Sequence, residues 1–130
     1  MPPMLPASAC PFCNLPEARR WLANEAGVAV LDGFPITEGH SLVIPRRHVA
    51  SVFDLNPTEQ SALWRLVSQV REELQAKHRP DAFNIGINDG IAAGQTVPHA
   101  HIHVIPRRNG DVADPRGGVR WIIPAKAKYW

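Results

Sequence analysis

Only two of the 130 residues are cysteine and only one is tyrosine, and aromatic side chains make up 7% of the chain. Two cysteines are too few to staple a disulfide-built scaffold, so the fold has to rest on a hydrophobic core. No apolar run approaches the roughly 18 residues that a membrane-spanning helix needs. Charge of one sign is also lacking, since 14 Lys and Arg against 12 Asp and Glu leave a net +2. That excludes the strongly basic face of a nucleic-acid binder but suits attraction of a small anion. The first nine residues carry neither a basic stretch nor an apolar core of the kind a secretory signal requires, so the expectation is a cytoplasmic protein. In that reducing setting Cys10 and Cys13 read as metal ligands or free thiols rather than a disulfide.

The length predicts a single domain over residues 1–130, with an irregular arm at 1–9 and a tail at 111–130. Pro16 to Leu22 reads as a short helix with proline in its first turn. Strands are expected at Gly27–Asp32, Ser41–Ile44, Ala82–Asn88 and His99–Ile105, the second and fourth stopped by Pro45 and Pro106. The long helix has the clearest signals. Asn56 caps it, Pro57 opens it, Glu59 completes a capping box, and Leu63, Leu66, Val67, Val70 and Leu74 form one apolar stripe. It should end near His78, ahead of Pro80. One long helix between pairs of strands predicts an α+β fold with a mainly antiparallel sheet.

His99-Ala100-His101-Ile102-His103 is the segment that carries chemistry. Strand side chains alternate faces, so the three imidazoles share one face while Ala100, Ile102 and Val104 face the core. From His99 to His103 the backbone spans roughly 13 Å, too far for all three to serve one zinc ion. A neutral imidazole is also a competent nucleophile toward phosphorus. Cys10-x-x-Cys13 has chelate spacing, and a four-coordinate zinc would take two further ligands from His40, His48, His78 and the run.

The run His99 to Ile105, with Gly94-Gln95-Thr96-Val97-Pro98 before it, Asn88, and Gly39 to Pro45 upstream, resembles the histidine triad (HIT) family over residues 10–108. The resemblance implies a five-stranded sheet with one long and one short helix, and a homodimer joining two such sheets into ten strands. It implies hydrolysis at the α-phosphate of nucleoside 5′-phosphoramidates or dinucleoside polyphosphates through a covalent nucleotidyl-histidine. His101 would be the nucleophile, and His103 would bond a phosphate oxygen. Gln95 and Thr96, with main-chain N–H groups around Gly94, would cradle phosphate and leaving group. His40 would support the triad and Asn88 would join the pocket. Asp32 would hold the ribose hydroxyls, while Phe12 and Val30 line the pocket for a purine base, adenine by expectation. Relatives with an N-terminal cysteine pair imply a structural zinc on Cys10, Cys13, His48 and His99, with no catalytic metal required. A histidine at 103, where the nucleotidyltransferase branch has glutamine, favours hydrolysis, and nothing calls for a nucleic-acid or membrane partner.

Two other readings compete. One is a nucleotide-binding or interaction protein with vestigial hydrolysis; the other is a metal enzyme with His99 and His101 on an open ion. The paired arginines at 46–47 and 107–108 read as solvated strand ends that could also steer phosphate. Trp121, Ile122, Ile123, Tyr129 and Trp130 make an apolar terminus of the kind that anchors interfaces. The tail is therefore expected to cross to a partner and reach its pocket.

Overall fold

The computed structural model describes residues 6–130. Five strands form one sheet in the order β1-β2-β3-β5-β4, with every neighbouring pair antiparallel. They are β1 (Arg20–Ala23), β2 (Gly27–Leu31), β3 (Ser41–Pro45), β4 (Ala82–Gly86) and β5 (Ile102–Arg107). The one α-helix among the described residues, α1 (Pro57–His78), lies between β3 and β4 in the chain. The expected α+β sheet is present.

Helix α1 follows its sequence signals. Asn56 Oδ1 accepts from the Glu59 N–H at 2.8 Å, and the Glu59 carboxylate accepts from the Asn56 N–H at 3.2 Å. Ala62, Leu63, Leu66, Val67, Val70 and Leu74 form its buried stripe. Arg79 then takes the left-handed conformation, and Pro80 prevents continuation.

Strand alternation sorts the apolar residues into two layers. Ala29, Val43, Ile102 and Val104 meet the α1 stripe in the main core. Val28, Val30, Leu42 and Ile44 form a second cluster with Leu15 and the partly buried Phe12. Each large aliphatic side chain so buried contributes about 1.5–3 kcal/mol before entropy is counted. Gly27 sets how closely α1 approaches the sheet. A Cβ there would stand 2.7 Å from Leu63 Cδ1 and 2.8 Å from the Ile44 carbonyl oxygen.

The predicted short helix and the bounds of the last two strands differ from expectation. The predicted short helix is only a 3₁₀ turn at Glu17–Arg19, and the chain then becomes β1. The reason lies in Asn24, which closes a β1–β2 hairpin. Its side-chain oxygen accepts from the N–H groups of Ala26 and Gly27 at 2.9 and 3.1 Å, and its amide donates to the Ala62 carbonyl at 2.8 Å. A seven-residue helix pays the full nucleation cost for few bonds, whereas the hairpin packs Trp21 and Leu22 against the core. Strand β4 stops at Gly86, and β5 starts at Ile102 but continues through Pro106. Strand β3 pairs with β5 only as far as Val104, so at Pro106 one flank is already an edge, where proline is tolerated.

Within the tail, residues 116–130 fold on one another. The Arg116 guanidinium lies over the Trp130 ring at 4.6 Å and Arg120 over Tyr129 at 4.9 Å. Arg120 Nε donates to the Ala127 carbonyl at 2.9 Å, and Trp121 Nε1 to the Arg116 carbonyl at 2.8 Å. Of the expected arm, residues 1–5 lie outside the described residues, and Ala7–Ala9 form an exposed 3₁₀ turn.

Replacing Gly27 by alanine forces a methyl group against the Ile44 backbone, which cannot retreat as a side-chain tip can. Overpacking of this kind costs about 1–3 kcal/mol. Urea denaturation should report the loss as a lower midpoint with an unchanged m-value.

Candidate active site

Register fixes the site. Leu42 pairs with His103 and Val43 with Ile102, so His103 shares a face with Leu42 and the second apolar cluster. Upstream of β5 the chain is held by the Ala100 N–H donating to the Val49 carbonyl at 2.7 Å. His101 and His103 thereby open into a cavity of about 840 Å³. Phe12, Val30, Asp32, His40, Asn88, Gly94 and Thr96 line the same cavity. A second cavity, of about 570 Å³ beside the C-terminal end of α1, also touches Asp32 but contains none of the three histidines of the run.

Backbone groups decide which nitrogen of each imidazole carries a proton. His99 Nε2 lies 2.9 Å from the Pro45 carbonyl and His101 Nδ1 lies 2.9 Å from the His99 carbonyl. Carbonyls only accept, so those nitrogens are the protonated ones. His99 is left with a lone pair at Nδ1, and His101 with one at Nε2. The Ile36 N–H donates to His40 Nδ1 at 3.2 Å, which puts the His40 proton on Nε2. That N–H reaches His103 Nδ1 at 2.9 Å and Asp32 Oδ2 at 3.3 Å. A neutral His103 must then be a donor at its own Nε2.

Burial, with His101 and His40 beside it, holds His103 down to about 4. Burial also lowers His40, against the pull of Asp32. The run therefore presents one lone pair, at His101, next to one N–H donor, at His103, with the two ring centroids 5.2 Å apart.

His99 turns the other way. Its Nδ1 lies 3.3 Å from Cys10 Sγ, 3.5 Å from Cys13 Sγ and 3.2 Å from His48 Nδ1, and Cys13 Sγ lies 3.2 Å from His48 Nδ1. Zn–N bonds of about 2 Å and Zn–S bonds of about 2.3 Å put tetrahedral neighbours roughly 3.3–3.8 Å apart. The four separations, at 3.2–3.5 Å, lie close to the short end of that range, and the Cys13 N–H donates to Cys10 Sγ at 3.4 Å, as suits a thiolate. Burial and the adjacent Cys10 push the Cys13 thiol up to about 11 when no cation balances the pair. The donor set fits a closed structural zinc.

Gln95 is not placed as expected. Its Oε1 accepts from the Gly90 N–H at 2.9 Å, and its amide donates to the Ala50 and Val97 carbonyls at 2.8 and 3.1 Å. Both ends are spent on closing the 90–97 loop, and the side chain is buried. The N–H groups of Gly94 and Gln95 also bond within the loop, to the Ile91 and Gly90 carbonyls. What this loop turns to the cavity is Gly94, Thr96 and Val97. Gly94 holds φ +99°, which a side chain would strain.

The paired arginines are engaged too. Arg47 pairs with Glu59 and Arg107 with Asp111, while Arg46 and Arg108 donate to backbone carbonyls. His78, one of the histidines open to the zinc, instead meets Glu38 Oε1 at 2.7 Å. The sequence reading missed Leu42, Ile105, Val119 and Ile122 in the cavity wall. Alternation from His103 could have found Ile105, and the register with β3 would have found Leu42; Ile122 belongs to the apolar terminus expected at a partner's pocket, and Val119 had no signal.

The HIT domain model matches residues 17–110. The chain is 46% identical over 80 residues to the bis(5′-nucleosyl)-tetraphosphatase [asymmetrical] of Schizosaccharomyces pombe, covering 62% of this chain and 44% of that protein. It is 40% identical over 89 residues to the bifunctional bis(5′-adenosyl)-triphosphatase/adenylylsulfatase of Arabidopsis thaliana, covering 68% of this chain and 49% of the relative. The chain thus spans less than half the length of these two relatives. A Zn-bound histidine triad family protein from Mycobacterium smegmatis superposes with a TM-score of 0.75 at 36% identity, over 84% of this chain and 82% of that one. With this fold, this run of histidines and these relatives, the chain belongs to the histidine triad (HIT) family. No helix among the described residues is long and apolar enough to cross a membrane.

His103 stays neutral in the fold down to about 4, whereas an unfolded chain protonates it near 6.5. Between those values the unfolded state binds more protons, so stability falls as the pH falls through this window. His40 shifts in the same direction. The thermal midpoint should decline from pH 6.5 to 4, and less steeply in His103→Asn. A wild-type midpoint that stays flat across the window contradicts the neutral assignment.

Proposed function

We propose that this HIT protein hydrolyses nucleotides at the α-phosphate, with nucleoside 5′-phosphoramidates or dinucleoside polyphosphates as substrates. The observation that carries the reading is the fixed tautomer of His101. Its Nδ1–H is held by the His99 carbonyl, and its Nε2 lone pair is left for the cavity. That nitrogen attacks phosphorus, a P–N bond forms, and the leaving group departs with the electrons of its own bond to phosphorus. Water then attacks the same phosphorus, the P–N bond breaks, and the lone pair returns to Nε2. The His99 carbonyl stabilises the positive charge on the ring while the bond exists. His103 donates from Nε2 to a phosphate oxygen, with His40 holding it in the donating tautomer.

Asp32 retains accepting capacity for ribose hydroxyls beyond its bonds to the Phe34 N–H and His40. Phe12 and Val30 offer an apolar slot for a base, adenine in our reading, with Asn88 and Thr96 toward the phosphate. Gln95 acts through the loop it closes. Relatives named as a tetraphosphatase and a triphosphatase/adenylylsulfatase support the reaction class.

Zinc would be held by Cys10, Cys13, His48 and His99, and it would supply a structural tie between the N-terminal segment and the catalytic strand. No step of the hydrolysis is assigned to it. A homodimer continuing the sheet is part of the same reading. The bulge between Arg20 and Leu22 blunts the β1 edge, which leaves β4 as the edge to pair. A reducing, cytoplasmic setting is in keeping with two free thiols held for a metal.

His101→Ala should abolish the adduct and lower kcat by at least about 10³-fold, with AMP binding retained. Intact mass after a rapid quench with adenosine 5′-phosphoramidate and diadenosine polyphosphates reads the adduct and ranks the substrates. A nucleotidyl adduct in the His101→Ala protein sinks the assignment. Separately, metal analysis should find one zinc per chain, and Cys10→Ser should lower thermal stability more than the turnover of folded protein. Zinc-free protein from a chelator-free purification overturns that half of the reading.

A further inference from the structure

Asp32, His40 and His103 meet on the nucleoside side of His101, and their geometry has a second use. His40 Nε2 lies 2.9 Å from His103 Nδ1 and 3.3 Å from Asp32 Oδ2, and His103 Nδ1 lies 3.9 Å from that same oxygen. All three donor atoms fall within 4.8 Å of one another. Metal–nitrogen and metal–oxygen bonds of about 2.0–2.2 Å place neighbouring ligands roughly 3.3–3.5 Å apart in a tetrahedron, and the three observed separations straddle that value. The side chains of His40, Asp32 and His103 are 4%, 15% and 23% exposed, so the cluster is sheltered yet open to the cavity on one side.

We propose that Asp32, His40 and His103 form an inhibitory site for a divalent first-row transition ion such as Zn²⁺, bound in competition with nucleotide. Two imidazoles and one carboxylate select this class of ion over Mg²⁺ or Ca²⁺, which prefer all-oxygen sites. Three protein ligands leave a position for water on the cavity side, so the ion is exchangeable, unlike one enclosed by Cys10, Cys13, His48 and His99.

The tautomers show what entry of the ion requires. His103 already offers a lone pair at Nδ1, and Asp32 needs no rearrangement. Only His40 must change, its proton moving from Nε2 to Nδ1 with no net gain or loss. That step gives up the 3.2 Å bond from the Ile36 N–H. Phe34 and Ile36, on the segment that supplies this N–H, are 90% and 72% exposed, so the segment can shift without opening the core. Once bound, the ion occupies the carboxylate assigned to the ribose and the nitrogen through which His40 orients His103. It therefore excludes the ribose hydroxyls from Asp32, while His103 keeps its Nε2 proton and His101 keeps its bond to the His99 carbonyl.

The competition rests on the nucleotide reading; the metal site itself does not. The test is a Co²⁺ titration of the zinc-loaded full chain, followed by visible and near-ultraviolet absorption. We expect saturable binding with visible ligand-field bands but no thiolate-to-cobalt charge-transfer band, which would mark entry at the cysteines instead. His40→Gln and Asp32→Asn should each weaken this binding by at least about tenfold, since each deletes a direct ligand. Thermal melts confirm which variants are folded, and either one decides the matter. Absence of a saturable thiolate-free signal, or unchanged affinity in a folded variant, overturns the site. AMP binding is measured first by equilibrium dialysis without added metal. If AMP binds, it should lower the apparent Co²⁺ affinity in proportion to its own occupancy, and Co²⁺ binding unaffected by bound AMP overturns the competition. If AMP does not bind, the nucleotide reading fails, and the variants still decide the metal site.

Discussion

The 2.9 Å hydrogen bond from His101 Nδ1–H to the carbonyl of His99 ties the chemistry to the backbone. One residue supplies both ends of a relay, because the His99 ring is itself held by the Pro45 carbonyl at the end of β3. The orientation of the ring that faces the cysteines and the free nitrogen of His101 are thus set by two backbone carbonyls, one at the end of β3 and one just ahead of β5. Nothing in this relay is charged, so its geometry does not depend on ionic strength or on distant groups. The same economy appears at His103, where an Ile36 amide acts through His40 to choose the tautomer.

The paired arginines Arg46, Arg47, Arg107 and Arg108 are all bonded to carboxylates or carbonyls. Arg19, which lines the cavity, is the arginine placed nearest to an anion bound there. Gln95 serves the same cavity indirectly. By closing its own loop it holds Gly94 and Thr96 against the cavity wall.

Periodic features were the ones legible from sequence. The α1 stripe, its capping box and the alternation around His101 each repeat a short pattern that local geometry reads directly. Features that depend on competition between local structures were not legible. Pro16 to Leu22 has a plausible helical start, but Asn24 offers the backbone a hairpin turn that only the sheet makes worthwhile. Gln95 carries an amide that fits a phosphate as well as a carbonyl, and only the position of the Ala50 carbonyl decides between them. The tail aromatics signal burial without naming a partner, and Arg116 and Arg120 prove to be what Trp130 and Tyr129 pack on.

The strand order has a consequence for how the molecule comes into being. Strands β1 to β3 form a local meander, but the neighbour of β3 is β5, which follows only after α1 and β4. During synthesis the flank of β3 that will receive β5 stays unpaired while some sixty further residues are made, and its sequence, Ser41 to Ile44, is largely apolar. A nascent chain in that condition is open to pairing with a neighbour on the same message. Strand β5, which carries His103, closes this flank as it arrives. Maturation of the site and protection from aggregation are therefore a single event, and a substitution that delays β5 endangers yield as well as the site.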